Sequence, residues 1–211
     1  NKVVKNFQRN QYKKETKEIA KMSTYLSEMK IAEFVEELYK NPLPYDFEWD
    51  KYKQMKDGEL TDEQSEILKS VCENRFTIVD ALAGSGKSAS MMCVLQMLKD
   101  NHINFRCMTA TGKASRRFQE ASGYACSTIH RACMNGREVS EELIVIDEHS
   151  LLSVELLCMV INAISNDNVH CLFIGDIQQL LNLSLGTPIK DIIASGKVKV
   201  CTLLKCFRFG L

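Results

Sequence analysis

Phe76-Thr-Ile-Val-Asp-Ala-Leu-Ala-Gly-Ser-Gly-Lys-Ser88 is the stretch on which the reading of this chain turns. Phe76–Val79 is an apolar run rich in strand-favouring residues. It enters a turn of small residues, and a helix-forming segment, Lys87–Lys99, follows. Strand, glycine-rich turn and helix in that order form a P-loop. Small residues let backbone N–H groups wrap a phosphate, and the helix N-terminus adds the positive end of its dipole. Ala83-Gly84-Ser85-Gly86-Lys87-Ser88 is therefore expected to cradle the phosphates of ATP, with Lys87 at the β- and γ-phosphates and Ser88 at Mg²⁺. Ala81 stands where the pattern usually has its first glycine. Alanine fits there with a negative φ and costs about 1 kcal/mol or more with a positive one.

Further along, short apolar runs recur at Phe105–Thr109, Leu143–Ile146, Cys171–Ile174 and Val198–Leu204. Helix-like segments separate them at Lys113–Ala121, Val154–Ile164 and Pro188–Ala194. Alternating strands and helices imply crossover connections, so the fold class is α/β with a parallel sheet flanked by helices. The strand runs are continuously apolar, which predicts burial on both faces. Ligands of such sheets bind at the C-terminal ends of the strands. Leu143-Ile-Val-Ile-Asp147-Glu148 delivers two carboxylates there: Asp147 for Mg²⁺ and Glu148 to orient and deprotonate an attacking water. Gly175-Asp-Ile-Gln-Gln179 ends the next strand, and the Gln179 amide is expected to reach a γ-phosphate and report its loss. No histidine is read as a catalytic base.

Residues 1–57 differ from residues 58–211. Lys13–Lys40 is charged, free of Gly and Pro, and carries Ile31, Phe34, Val35 and Leu38 on one helical face. Pro42 and Pro44 stop the helix, and Tyr45, Phe47 and Trp49 form an aromatic cluster expected to pack on the following domain. The division expected is a helical N-terminal segment, 1–57, before an ATP-binding domain, 58–211. The alternative for the first part is a partner- or DNA-binding arm.

The 27 basic and 27 acidic side chains cancel, so any nucleic-acid contact must come from a local patch. No apolar run approaches a membrane span, and the first residues, Asn1 to Glu15, hold no apolar signal core. The nine cysteines form no CxxC pair and read as reduced, mostly buried thiols, consistent with an intracellular protein, cytoplasmic if prokaryotic or viral.

Several segments stand in order around the P-loop. Leu60-Thr-Asp-Glu-Gln64 precedes it. Thr109-Ala-Thr-Gly-Lys-Ala114 with Arg116 and Arg117, Ser127-Thr-Ile-His130, Asp147-Glu-His-Ser150, Gly175-Asp-Ile-Gln-Gln-Leu180 and Phe207-Arg208 follow. Together they resemble the superfamily 1 DNA helicases, specifically the RecD-like branch. His149 replaces the family's alanine, and Leu181-Asn182 its usual prolines.

The resemblance implies a RecA-like P-loop NTPase fold and ATP-driven movement on single-stranded DNA with 5′→3′ polarity. It implies adenine reading by Gln64, an Arg208 that approaches the γ-phosphate, and a second RecA-like domain in the full-length chain. It also implies DNA contacts at Thr109, Thr111, Gly112, Lys113, Arg116, Thr128 and His130. The basic cluster Lys113, Arg116 and Arg117 suits phosphates, and no aromatic row is evident for base stacking. Relatives carry a strand-separating hairpin where this chain has only the short link His130–Glu142. The competing reading is a nucleotide-binding scaffold subunit of a nuclease or replication complex, with little motor activity.

Overall fold

Six parallel strands form the sheet: β1 (Phe76–Ala81), β2 (Phe105–Thr109), β3 (Cys126–Thr128), β4 (Leu143–Asp147), β5 (His170–Gly175) and β6 (Lys199–Leu203). Their spatial order is β3-β2-β4-β5-β1-β6. The computed structural model describes residues 22–55, 58–179 and 187–205. Arg208, Leu181 and Asn182 lie outside the described residues, as does the Lys13–Lys21 part of the expected first helix.

The helices are α1 (Met22–Lys40), α2 (Asp62–Glu73), α3 (Lys87–Asp100), α4 (Gly112–Ser122), α5 (Ile129–Cys133), α6 (Val154–Ala163) and α7 (Pro188–Ala194). Two apolar cores lie on the two faces of the sheet. Ile78, Ile144, Ile146 and Phe173 enter one, while Val79, Val145, Leu172 and Ile174 enter the other. Neighbouring residues of one strand thus supply opposite cores, which is why these strands read as continuous apolar runs rather than alternation.

Strand β3 and helices α2 and α5 are additional to the elements expected from the sequence. β3 is three residues long and ends in Ser127-Thr128, too short and polar for a periodic signal. α2 is signalled by Thr61 and Gln64, which form a capping box: Gln64 N–H donates to the Thr61 hydroxyl at 3.4 Å and Thr61 N–H to Gln64 Oε1 at 3.0 Å. The link after His130 turns at Asn135 and Gly136, with φ of 61° and 70°, and Val139 then bridges Ile164. Among the described residues this link holds no β-hairpin.

Helix α1 buries Ile31, Val35 and Leu38, at 5%, 1% and 4% exposure, in the same core as α6. Glu36 pairs with Lys197, just before β6. Beyond α1 the chain is held at the N-terminal ends of the strands. The buried Arg75 guanidinium donates to the carbonyls of Asn41 (3.1 Å), Val169 (3.2 Å) and Asp167 (2.5 Å). Tyr45 stacks between Phe47 and His170, with ring centroids 4.7 and 4.1 Å away, and Tyr45 N–H donates to the Cys72 carbonyl at 2.7 Å. The aromatic cluster therefore packs on the sheet-bearing part of the chain, as its composition suggests.

The eight described cysteines are free, and six of them are buried. Burial pushes the Cys72 and Cys171 thiols up to about 12, leaving them unreactive at neutral pH. Among the described residues no helix is long and apolar enough to cross a membrane.

At the other end of the sheet, Gly175 closes β5 against His149. A Cβ at Gly175 would stand 2.9 Å from the His149 backbone N and from its ring atoms Cγ and Nδ1. The backbone atom cannot swing aside, so Gly175→Ala is expected to lower unfolding stability by about 1–3 kcal/mol in urea titrations. A cost near zero would show that this contact is loose.

His170 allows a second check. Burial drives its imidazole below the ordinary value, and Nε2 meets the Leu43 carbonyl at 2.6 Å. The fold therefore holds the neutral ring, whereas the unfolded chain takes up a proton near pH ~6.5. Its contribution is fully present above that pH and declines as pH falls through the window below it. Between pH 7 and 5 the wild type should lose more stability than His170→Asn; equal losses would contradict the assignment.

Candidate active site

The site begins where β1 meets its turn. Ala81 pairs with Leu203 in the strand register and is not among the residues with positive φ. The alanine that departs from the glycine pattern therefore carries no backbone strain. The positive φ values fall at Gly84 (83°) and Gly86 (80°), and Gly86 caps the N-terminus of α3. These left-handed positions fold the loop back over the helix start, so that Lys87 and Ser88 open the helix facing the sheet edge. The Ser85 N–H is held by the Leu82 carbonyl at 3.1 Å.

Lys87 reaches across the end of β5 to Asp147 of β4, with Nζ 3.1 Å from Oδ1. The side chains are 28% and 17% exposed, and Asp147 Oδ1 is inaccessible to solvent. The approach satisfies charge without hydrogen-bond alignment. Lys87, Ser88, Asp147 and Glu148 line one cleft of about 150 Å³, closed on the far side by Ala114, Arg117, Phe118 and Ala121 of α4. An ammonium, a helix N-terminus, a hydroxyl and two carboxylates here provide an anion cradle beside hard oxygen donors. That donor set fits a divalent cation such as Mg²⁺.

Glu148 has φ 58° and ψ 48°, a left-handed conformation that costs a non-glycine residue about 1–2 kcal/mol. Its carboxylate meets Arg117 Nη1 at 3.5 Å. His149 turns the other way. It is fully buried, its Nε2–H donates to the Val79 carbonyl at 3.2 Å, and burial brings its imidazole down to about 4. The ring is neutral and its Nε2 is committed to the Val79 carbonyl.

Three expected contacts are arranged differently from the sequence reading. Gln64 is buried, with Oε1 on the Thr61 N–H and Nε2 donating to the Ser85 carbonyl at 3.3 Å. Its amide braces the P-loop from behind and is not free for bidentate adenine reading in this arrangement. Gln179 does not line the cleft. Its Nε2 donates to Asp176 Oδ2 at 3.4 Å, while Asp80 Oδ1 accepts the Ile177 N–H at 2.9 Å and anchors the loop after β5. Thr109 is 0% exposed and its hydroxyl donates to the Thr111 carbonyl at 3.0 Å, so it shapes the loop rather than facing a ligand.

The remaining candidates for nucleic-acid contact gather at one edge. β2 and β3 pair with Thr109 opposite Thr128, so the loops that follow lie side by side. Thr111 caps α4, accepting from Ala114 N–H at 3.2 Å, and Thr128 caps α5, accepting from Arg131 N–H at 3.2 Å. Gly112, Lys113, Arg116 and His130 are exposed around these caps. The sequence reading groups Arg117 with them; it is likewise exposed, but it borders the cleft and pairs with Glu148. The signal for that is the helical spacing of Ala114, Arg117, Phe118 and Ala121.

The family model described as AAA domain matches residues 59–210. The chain is 26% identical over 176 residues to the ATP-dependent RecD2 DNA helicase of Deinococcus radiodurans, across 77% of this chain and 24% of that protein. Among solved structures it resembles Bacteroides sp Pif1 in complex with ADP-AlF4, with TM-score 0.52 and 18% identity over 72% of this chain and 43% of that one. It also resembles the Pif1 helicase of Candida albicans, with TM-score 0.50 and 20% identity over 71% and 40% of the two chains. The structural likenesses bear on the fold alone, a RecA-like parallel sheet flanked by helices. The chain spans about a quarter of the length of its curated relative. With the match running from before the P-loop to the last strand, the chain belongs to the AAA domain family and carries the ordered motifs of the RecD-like superfamily 1 helicases.

Proposed function

We propose that this chain is an ATP-hydrolysing motor domain of a DNA helicase, moving along single-stranded DNA when joined to a second RecA-like domain. The observation that carries the reading is the convergence of Lys87, Ser88, Asp147 and Glu148 on one cleft beside an exposed basic edge. The 5′→3′ polarity and an intracellular setting follow from the family resemblance. A purely structural nucleotide-binding subunit would need no carboxylate at the position of Glu148.

The residues divide the work by position. Backbone N–H groups of Ala83 to Ser88 and the α3 N-terminus hold the β-phosphate. Lys87 leaves Asp147 to neutralise the β- and γ-phosphates. Ser88 and Asp147 would hold Mg²⁺, which when bound would draw charge from the phosphate oxygens. Glu148 orients a water in line with the γ-phosphorus and takes its proton. The new P–O bond forms as the bond to the bridging oxygen breaks, giving ADP and phosphate. At the other edge, Lys113 and Arg116 grip DNA phosphates, together with Thr111, Gly112, Thr128 and His130, without reading bases.

Lys87→Ala is expected to lose most nucleotide affinity in a fluorescent-ATP titration, whereas Glu148→Gln should keep affinity and lose roughly 10²–10⁴ in hydrolysis rate. Unchanged affinity in the first variant would overturn the cradle. For DNA, replacing Lys113 and Arg116 together with Ala should weaken binding to all sequences alike. The log–log salt slope should fall by about 0.7 per lost phosphate contact. An unchanged slope would remove this edge from the DNA path.

A further inference from the structure

The pairing of β4 with its neighbours ends at Asp147, which stands opposite Thr109 on one side and Ile174 on the other. Glu148 is the first residue beyond it and turns left-handed, at φ 58° and ψ 48°. A residue with a Cβ keeps that conformation only where its surroundings over-determine it. The turn that follows is closed by the Leu151 N–H on the Glu148 carbonyl and the Leu152 N–H on the His149 carbonyl, both at 3.0 Å. Those bonds lie within the turn; the side chain of His149 ties the turn to the sheet. It is 0% exposed, passes over the end of β5 and donates from Nε2 to the Val79 carbonyl of β1 at 3.2 Å. Gly175 makes room for it, since a Cβ there would stand 2.9 Å from the ring atoms Cγ and Nδ1. Packing alone does not account for a histidine here. Among the described residues its buried Nδ1 has no hydrogen-bond partner, a cost that an apolar side chain would avoid. The residue also stands where the RecD-like pattern has alanine, so the anchor is not part of that pattern.

We propose that His149 is a positioning residue for hydrolysis: its bond to Val79 and its fit against Gly175 hold Glu148 in the left-handed conformation that puts the carboxylate in the cleft. The inference rests on the reading of Glu148 as the base for water attack. Neighbouring side chains leave a backbone in different directions, so anchoring His149 inward fixes the course of Glu148 outward. Glu148 accordingly lines the cleft and His149 does not. The anchor also refers the carboxylate to the backbone that the chemistry uses. Val79 stands two residues before Ala81, where β1 enters the P-loop, and Gly175 is the last residue of β5. A group that orients a water must be held closely, because a misplacement of about 1 Å costs on the order of 10²-fold in rate. Without the ring, Glu148 relaxes to an ordinary backbone region, and its side chain swings out of line with the cleft.

The test uses the full-length protein, with urea unfolding to establish that each variant is folded in the assay. Nucleotide affinity and ATP hydrolysis are measured for wild type, His149→Ala, His149→Gln and Glu148→Gln. His149→Ala should lower kcat about tenfold or more and leave affinity for a fluorescent ATP analogue within about twofold. His149→Gln, whose amide can donate to the Val79 carbonyl, should recover part of the rate. The deciding measurement is single-turnover hydrolysis by the double variant. His149→Ala should add little to Glu148→Gln, because a misplaced amide loses no more than a well-placed one. A residue that only holds the fold together would instead lower affinity and stability together, and would slow Glu148→Gln by the same factor as wild type; that result overturns the positioning role. If Glu148→Gln is slow but folded His149→Ala turns over normally, the positioning role is wrong and the base assignment stands. If Glu148→Gln hydrolyses ATP normally, the base lies elsewhere and both readings fall.

Discussion

The functional edge of this molecule depends on Lys87 meeting Asp147 across the end of a strand that belongs to neither. β1 delivers the lysine and β4 the aspartate, and β5 lies between them in the sheet. β5 ends there in Gly175, whose missing Cβ leaves room for His149, and the His149 ring is fixed to the Val79 carbonyl of β1. Three strands are thus locked edge to edge by contacts that use no exposed side chain. The Asp80 carboxylate adds to this by holding the N–H of Ile177 in the loop after β5. On the function proposed above, this lysine and carboxylate would separate when phosphate and a cation arrive, because each would then find a stronger partner.

The opposite end of the sheet is held by different means. There the extended segment after α1 is tied down by carbonyl groups on the Arg75 guanidinium and by the stack of Phe47, Tyr45 and His170. A guanidinium suits this role because its planar fork offers several donors at fixed angles, so one buried side chain joins three chain segments. Helix α1 meanwhile shares the core beneath α6, through Ile31, Val35 and Leu38. The described segment from α1 to Phe47 is therefore packed on both a face and an end of the sheet.

Much of this architecture is legible in the amino-acid sequence. The long apolar runs of β1, β4 and β5 and the helices between them follow from periodicity, because strands buried on both faces tolerate little polarity. The P-loop and the Asp147-Glu148 pair are legible because they combine a local signal with a required place in the strand–helix order. The direction of individual side chains is not. Arg116 and Arg117 are adjacent, chemically identical and both exposed, but only Arg117 borders the cleft and reaches Glu148. Thr109 and Thr111 look alike as phosphate ligands, yet one is buried inside a strand and the other caps a helix. Gln64 carries the spacing of both a capping box and an adenine reader, and the capping geometry engages its amide. In each case the deciding factor is a tertiary contact that short motifs do not encode.

The most direct measurement of the central claim is a crystal structure of this chain with Mg²⁺ and a non-hydrolysable ATP analogue. The account predicts that Lys87 Nζ leaves Asp147 for the β- and γ-phosphate oxygens and that the cation sits between Ser88 and Asp147. It further predicts that Gly175 and His149 remain in contact beneath them. A nucleotide bound elsewhere, with the Lys87–Asp147 pair intact, would contradict it.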